Sequence, residues 1–535
     1  MSVTTQVKGR STAVEMPQVR LGFWRLALAL TAICAIPIAL YAPFFNEPFM
    51  RDEGFYAAVA QIIKHGGIPY RDAFDNKPPL IFTWYYISFF FFGEHIWAPR
   101  LVAALLSSAT TLLVYFQARF MYSQRGALVA MAAFALTTGL AMFETNANVE
   151  YFMLLPTVAS LLCFTLGIKR GGIGWFFLAG ILSGITVMTK ETVIFAFGLY
   201  FLYLFWQGFR EERWAALRNR TFILRCVAMA AGFVLALFVV FLPFLLTGTA
   251  KDFFDAVFVY TFLYVGAGQG WLFKVKTMFT SPFMLIYATG PLAIFAAFGI
   301  WSFWKKKDTS TGALIAAWFV AGDLGIIAAG RFFAHYYVLL FPAMALLVPA
   351  GLIYARDNWK SRRLKVFAWS MIGVSLLTPL GISSAIYFHA DAGDRHEQKY
   401  FQIQRAQWET ESQDFSQWIL ARTQPSDKIY NLGFQNEVYF YTKLQSPTRF
   451  LFDYPFQLDH SFEAKALADL KADPPKFVFG SELDLPPQIR GEGYYPYTIY
   501  DWMTENYDYV GKIYYAYVWR VKGSTMAHAG VQGPV

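Results

Sequence analysis

Two adjacent acids stand early in this chain, in the run Met50-Arg51-Asp52-Glu53-Gly54-Phe55-Tyr56. Phe74-Asp75-Asn76-Lys77-Pro78-Pro79-Leu80 follows, with one cation held ahead of an apolar stretch by two prolines that fix the backbone. Between Arg51 and Lys77 lie four residues of each charge sign. A solvated loop with Asp52 as a helix cap would explain part of this. Three further polar groups interrupt apolar sequence: Glu144 with Asn146-Ala147-Asn148-Val149-Glu150, Thr189-Lys190-Glu191, and Arg331 with His335-Tyr336-Tyr337. A charge within apolar sequence is costly and marks a functional candidate. Snorkelling of Lys and Arg to the interface is the competing explanation.

Lys77, Lys190 and Arg331 are three cations suited to a phosphate whose lipid tail stays in the bilayer. Asp52 is a carboxylate that could take a proton from an incoming hydroxyl. If the phosphate leaves from a glycosyl phosphate, one base and stabilisation of the leaving group suffice, without a general acid. A base acting from the opposite face would invert the anomeric centre. Glu53 and Glu150 could orient the acceptor, position the sugar or bind a cation. A divalent ion held by carboxylates stays open, but no metal site is assigned.

These residues need elements to position them. Of 535 residues, 56% are apolar and 19% aromatic, and only 15% are charged, against roughly 25% in a soluble domain. The +9 balance comes from basic residues between apolar runs, a membrane-orientation pattern and not a nucleic-acid footprint. Cys34, Cys163 and Cys226 fall in apolar stretches and read as buried thiols. Eleven runs approach the roughly 20 residues of a span. They lie near 24–43, 100–119, 126–143, 150–168, 173–189, 191–208, 226–246, 283–303, 311–329, 336–354 and 366–388. With eleven spans, Arg119/Arg125, Lys169/Arg170, the Arg210–Arg225 cluster, Lys305–Lys307 and the Arg356–Lys365 cluster all fall on the cytoplasmic side with the N-terminus. Leu80–Phe92 is apolar but short, so it reads as a juxtamembrane helix at the outer surface; a twelfth element is the alternative.

The expected fold is thus a polytopic α-helical membrane protein with about eleven spans and juxtamembrane helices. A cytoplasmic tail (1–23) precedes a transmembrane domain (24–390) whose first outward loop is 44–99. A second outward loop runs from Thr247 to Ser281. Residues 391–535 read as a small extracytoplasmic α/β domain, with strands in Lys428–Gly433, Lys476–Gly480 and Tyr509–Arg520 and helices in Phe401–Ala421 and Ser461–Lys471.

The motifs resemble a known group. Asp52-Glu53-Gly-Phe-Tyr followed by Asp75-Asn76-Lys77-Pro78-Pro79-Leu80 resembles the first-loop signature of the GT-C glycosyltransferases: the protein O-mannosyltransferase, aminoarabinose lipid A transferase and RgtA/B/C/D-like group. Thr145-Asn146-Ala-Asn148-Val-Glu150 is similar to the second acidic loop of one bacterial branch, Met188-Thr189-Lys190 to the Thr-Lys at a span end, and Gly330-Arg331-Phe-Phe-Ala-His335-Tyr336 to the Arg-then-His-Tyr motif. The resemblance covers about 24–390 and implies the GT-C fold. It also implies Asp52 as general base with Glu53 beside it in the sugar or acceptor site. Lys77, Lys190 and Arg331 would hold a lipid-linked phosphate, and Asn148, Glu150, His335 and Tyr336 would complete the substrate-binding set.

One departure is Glu191-Thr192 where many relatives have Gly-Pro, which offers Lys190 an adjacent carboxylate. The implied partners are a polyprenyl-phosphate sugar donor, the bilayer and an extracytoplasmic acceptor (glycolipid, polysaccharide or protein). No nucleotide cofactor and no nucleic acid are expected. The setting is a bacterial inner membrane, with the C-terminal domain periplasmic and helping to select the acceptor. The reading from another class is a transporter or flippase of a lipid-linked glycan; a transporter should show repeated halves, and none is visible. A degenerate family member acting as a structural partner is a third reading, against which the intact Asp52, Lys77 and Arg331 speak.

Overall fold

The computed structural model describes residues 21–139, 146–267, 270–305, 311–330, 332–367, 369–370, 373–374, 393, 396–397, 403–481 and 497–524. Arg331, Glu144, Thr145 and most of the predicted run 366–388 lie outside the described residues.

The helices are α1 (Phe23–Tyr41), α2 (Arg51–Lys64), α3 (Leu80–Phe92), α4 (Trp97–Ala118), α5 (Gln124–Thr137), α6 (Val149–Arg170), α7 (Ile173–Val187) and α8 (Ile194–Glu212). Then come α9 (Arg220–Leu246), α10 (Ala250–Phe254), α11 (Thr261–Gly266), α12 (Trp271–Thr289), α13 (Pro291–Lys305), α14 (Thr311–Ala329) and α15 (Phe341–Asn358). Seven described stretches are long and apolar enough to cross a bilayer: Phe23–Phe44, Trp97–Ala118, Val149–Arg170, Glu191–Arg210, Arg220–Leu246, Thr311–Ala329 and Ala334–Asn358. These coincide with seven of the predicted runs. The shorter apolar helices are Leu80–Phe92, Ile173–Val187 and Leu292–Lys305.

Two expectations need correction. The run 283–303 is not one helix: α12 stops at Thr289 and α13 starts at Pro291, because Gly290 takes φ 56° and breaks the ladder. The described residues of the stretch Thr247–Ser281, expected as a loop, are largely helical. Its aromatic residues have a surface to cover, with Phe253 against Tyr70 (5.6 Å) and Tyr260 against Phe74 (5.1 Å). Leu80–Phe92 forms a helix of its own, α3, whose 13 residues pack against α2 and α4.

Backbones come close where small residues allow it, as in other membrane bundles. A Cβ placed on Gly180 of α7 would sit 2.0 Å from the Met229 carbonyl oxygen of α9. Helix α4 packs against α1, α5 and α6 and forms a central post beside the first loop. The three cysteines are half-buried thiols.

The C-terminal region adds α16 (Ile403–Leu420), α17 (Glu437–Thr442), α18 (Tyr454–Leu458), α19 (Ser461–Ala472) and α20 (Tyr497–Asn506). Its strands are β1 (Ile429–Asn431), β2 (Phe477–Ser481), β3 (Tyr507–Ile513) and β4 (Ala516–Val521). They form one sheet in the order β1-β2-β4-β3, with β1 parallel to β2 and the other pairs antiparallel. The predicted strand 509–520 is a hairpin instead, turning at Tyr514, whose φ is 53°. Its alternating aromatics continue across the turn, which hides the break in a pattern of period two.

Candidate active site

Helix α2 carries the adjacent acids on its first turn, and the two carboxylates have different surroundings. Glu53 is fully buried and paired with fully buried Arg100 of α4. Arg100 donates from Nε to Glu53 Oε1 (3.0 Å) and from Nη2 to Oε2 (2.6 Å). The same guanidinium holds the chain before α2 through the carbonyls of Phe44 (2.9 Å), Glu47 (2.6 Å) and Pro48 (2.8 Å). Glu53 also accepts the Met50 amide (3.1 Å), an orphan donor at the helix start, and the Ala147 amide (2.8 Å). Each Glu53 oxygen thus accepts two hydrogen bonds. The structure places Glu53 as a junction between α2, α4 and the start of α6, rather than in the sugar or acceptor site where it was expected.

Arg100 was missed by sequence reasoning. Its signal was present: it is a lone charge near the start of a run long enough to span. It was counted as the edge of a span rather than as a buried partner for an acid about fifty residues earlier.

Lys77 is positioned by its backbone. Tyr70 donates its hydroxyl to the Lys77 carbonyl (2.8 Å), Thr261 donates to the Asn76 carbonyl (3.2 Å), and the Leu80 amide bonds the Met188 carbonyl (3.0 Å). The last bond ties the Lys-Pro-Pro turn to the turn that carries Lys190. The Lys77 ammonium lies 3.6 Å from Asp75 Oδ2 and 5.4 Å from the centre of the Tyr56 ring. Tyr56 is one helical turn beyond Asp52 and donates to Asn148 Oδ1 at 3.4 Å. Asn148 caps α6 through the Val149 amide (2.8 Å), which sets Glu150 in the first turn. Tyr56 and Asp75 stood in the quoted motifs but were given no role.

Lys190 meets Glu150, not its neighbour Glu191, in a buried ion pair. Its ammonium also lies 3.8 Å from the centre of the Tyr336 ring. His335 Nε2 is 3.9 Å from Glu150 Oε1, and the His335 and Tyr336 rings are 4.9 Å apart. Among the described residues, no group of three or more His, Cys, Asp or Glu converges as metal ligands. Asp75 and Glu150 are each matched to a lysine.

Asp52 is half-buried within this ring of charge. Burial alone would raise its carboxyl, but Lys77 first, then Arg51, His335 and Lys190, hold it below the ordinary carboxylate value. Burial disfavours the Lys77 ammonium, yet Asp75 and Asp52 more than compensate and raise its pKa. Asp75 goes the other way: burial dominates, and it is raised despite Lys77. The arrangement therefore keeps Asp52 ionised and Lys77 charged at neutral pH. It brings Asp52, Lys77, Asn148, Glu150, Lys190, His335 and Tyr336 together.

By sequence, residues 76–246 match the family model of dolichyl-phosphate-mannose-protein mannosyltransferases. That segment takes in Lys77, Asn148, Glu150 and Lys190; Asp52 precedes it and His335 follows it. No curated protein matches the chain by sequence. The structure of ArnT from Cupriavidus metallidurans bound to undecaprenyl phosphate is similar, with a TM-score of 0.58 at 14% identity, covering 93% of this chain and 98% of that one. The archaeal oligosaccharyltransferase AglB from Archaeoglobus fulgidus, in complex with an inhibitory peptide and a dolichol-phosphate, gives a TM-score of 0.51 at 15% identity, over 86% and 69%. At these identities the likeness is one of fold.

Proposed function

We propose that this chain, which has the fold of the GT-C superfamily of membrane glycosyltransferases, moves a sugar from a polyprenyl-phosphate-linked donor to an acceptor outside the cytoplasm. The observation that carries the reading is Asp52, a half-buried carboxylate kept ionised by Lys77 first, then Arg51, His335 and Lys190. A base must stand charged beside a site built for an anion, and this is such a place. The similar ArnT and AglB structures contain a polyprenyl or dolichyl phosphate, which fits a lipid-phosphate donor here.

In this mechanism Asp52 takes the proton of the acceptor hydroxyl. The acceptor oxygen attacks the anomeric carbon from the face opposite the phosphate. The bond from that carbon to the phosphate oxygen breaks, its electron pair goes to the phosphate, and the configuration inverts. Lys77, with Arg331, takes up the charge of the departing phosphate. Lys190, already matched by Glu150, orients the wall of the site together with Tyr336 and His335. Asn148 and Glu150 line the sugar or acceptor side. The reading sets the protein in a bacterial inner membrane, and the basic clusters support an outward-facing C-terminal region.

The test is Asp52→Asn in membranes with a polyprenyl-phosphate sugar donor. Transfer should fall by about 10²–10⁴-fold while membrane insertion persists. Full activity in this variant would remove the base assignment. Movement of the glycolipid across vesicles without cleavage of the sugar–phosphate bond would establish the transport reading instead.

A further inference from the structure

Helix α2 begins at Arg51, whose amide is one of the orphan donors of a helix start. That amide donates to Glu409 Oε1 at 2.9 Å. Glu409 belongs to α16, on the C-terminal region, and is 358 positions away in sequence. Its other oxygen accepts from His396 Nε2 at 2.6 Å. His396 Nδ1 in turn faces Glu47 Oε2 at 3.8 Å, on the segment leading into α2. Glu47 and His396 are fully buried and Glu409 is buried. The segment from Glu47 to Arg51 is therefore gripped on one side by Arg100 of α4 and on the other by His396 and Glu409.

Burial works against a charged His396, but Glu409 and Glu47 keep the imidazole protonated more readily than in water. Glu437 of α17 and Arg51 are the other charged groups that act here: Glu409 raises the Glu437 carboxyl further after burial, and Arg51 opposes it. A Cβ on Gly54 would lie 2.4 Å from the Glu437 Cβ, so no larger residue would let α2 and α17 approach this closely.

We propose that Glu409, backed by His396, is a positioning residue for Asp52. By capping the Arg51 amide, the C-terminal region fixes the Met50–Arg51 peptide at the start of α2, one residue before Asp52. Asp52 must point at the acceptor hydroxyl, and an error of about 1 Å in such a group can cost about 10²-fold in rate. This inference rests on the base assignment of Asp52, but the cap has its own readout.

The experiment uses the full-length protein in detergent or proteoliposomes. Glu409→Ala should lower kcat by about 10²-fold while KM for a polyprenyl-phosphate sugar stays within about twofold. Glu409→Gln, which keeps an oxygen for the Arg51 amide, should restore most of kcat. Hydrogen exchange of the peptide spanning Met50–Tyr56 should quicken by about tenfold in Glu409→Ala and stay near wild type in Glu409→Gln. If Glu409→Ala does not fold, His396→Asn, which retains a donor to Glu409, and Glu409→Gln carry the comparison. Both should then keep kcat and exchange near wild type, and His396→Ala should lower kcat and quicken exchange, each in part. Unchanged exchange in Glu409→Ala, or a Glu409→Gln as impaired as Glu409→Ala, would overturn the proposal. Loss of the base assignment would show separately, as full activity in Asp52→Asn with the exchange result unaltered.

Discussion

At the scale of single residues, the two lysines of the site are not equivalent. Lys77 is about one-third exposed and loosely matched by Asp75 at 3.6 Å, so its charge has capacity left for an incoming anion. Lys190 is nearly buried and spends its charge on Glu150. Lys77→Ala is therefore expected to weaken binding of polyprenyl phosphate by roughly 10- to 100-fold, the range of one hydrogen bond to a charged group, with little change in unfolding temperature. Arg331→Ala should weaken it likewise. Unchanged affinity in both variants, measured by titration of the purified protein, would remove the phosphate-clamp idea. Lys190→Ala should act differently, because it leaves the buried Glu150 carboxylate uncompensated; its main effect should be on stability. The motif made Asp52 and Lys77 visible in sequence, since a cation held by two prolines is a local signature. The partner of Lys190 was not visible, because Glu150 is forty positions away and Glu191 is adjacent.

At the scale of elements, the Glu53–Arg100 pair decides how α2 meets α4 and α6. Both groups are desolvated, so removing one strands the other. Glu53→Gln or Arg100→Met should each destabilise the protein by about 3–5 kcal/mol, and the double variant by less than the sum. Thermal unfolding of the purified proteins checks this, and additive losses would show that the two do not act as a pair. The far end of α2 is held by Glu94, which takes Lys64 (2.5 Å) and Gln61 (2.9 Å) and faces Lys443 (3.3 Å) just after α17. Burial raises the Glu94 carboxyl, but these partners outweigh it and bring it down to about 2, from the ordinary 4.5. A depressed acid stabilises fully above its unfolded value and loses that contribution as pH falls through its folded one. The difference in unfolding temperature between wild type and Glu94→Gln should therefore be constant above about pH 5 and shrink between about pH 4.5 and pH 2. It should be modest, because Lys64 is half exposed and screened. A difference that grows on acidification would contradict the linkage.

At the scale of the whole molecule, the C-terminal region is fastened to the first loop and to α10 at several points. The Phe74 amide bonds the Arg449 carbonyl (2.8 Å), Arg449 pairs with Asp252 (2.8 Å), and Gln61 donates to the Phe440 carbonyl (3.3 Å). Phe440 meets Phe49 edge-on at 5.0 Å and stacks on Phe89 at 5.5 Å. Removing residues after about 400 should thus abolish transfer of the sugar as well as alter acceptor choice, and it should expose α2 to proteolysis. A truncated protein that transfers sugar at the wild-type rate to any acceptor would show that the region acts on acceptors alone. A reporter that works only outside the cytoplasm, fused to the C-terminus, should be active; a cytoplasmic signal would reverse the orientation.

That the chain is a helical membrane protein is legible in its residues alone, because the apolar runs and their flanking charges are local properties that solvent transfer decides. So is the identity of Asp52, Lys77 and Glu150 as site candidates, because charges beside a bilayer are costly and their presence needs a reason. Only packing distinguishes the surroundings of the two adjacent acids. Asp52 and Glu53 are neighbours of the same chemistry, and only the arrival of Arg100 from α4 and the Ala147 amide consumes one and leaves the other beside the cations. Packing likewise brings the C-terminal region onto α2, through Glu409 on Arg51 and Glu437 against Gly54. Contacts between residues more than 350 positions apart leave no periodicity or spacing to read, since they exist only once the elements have packed.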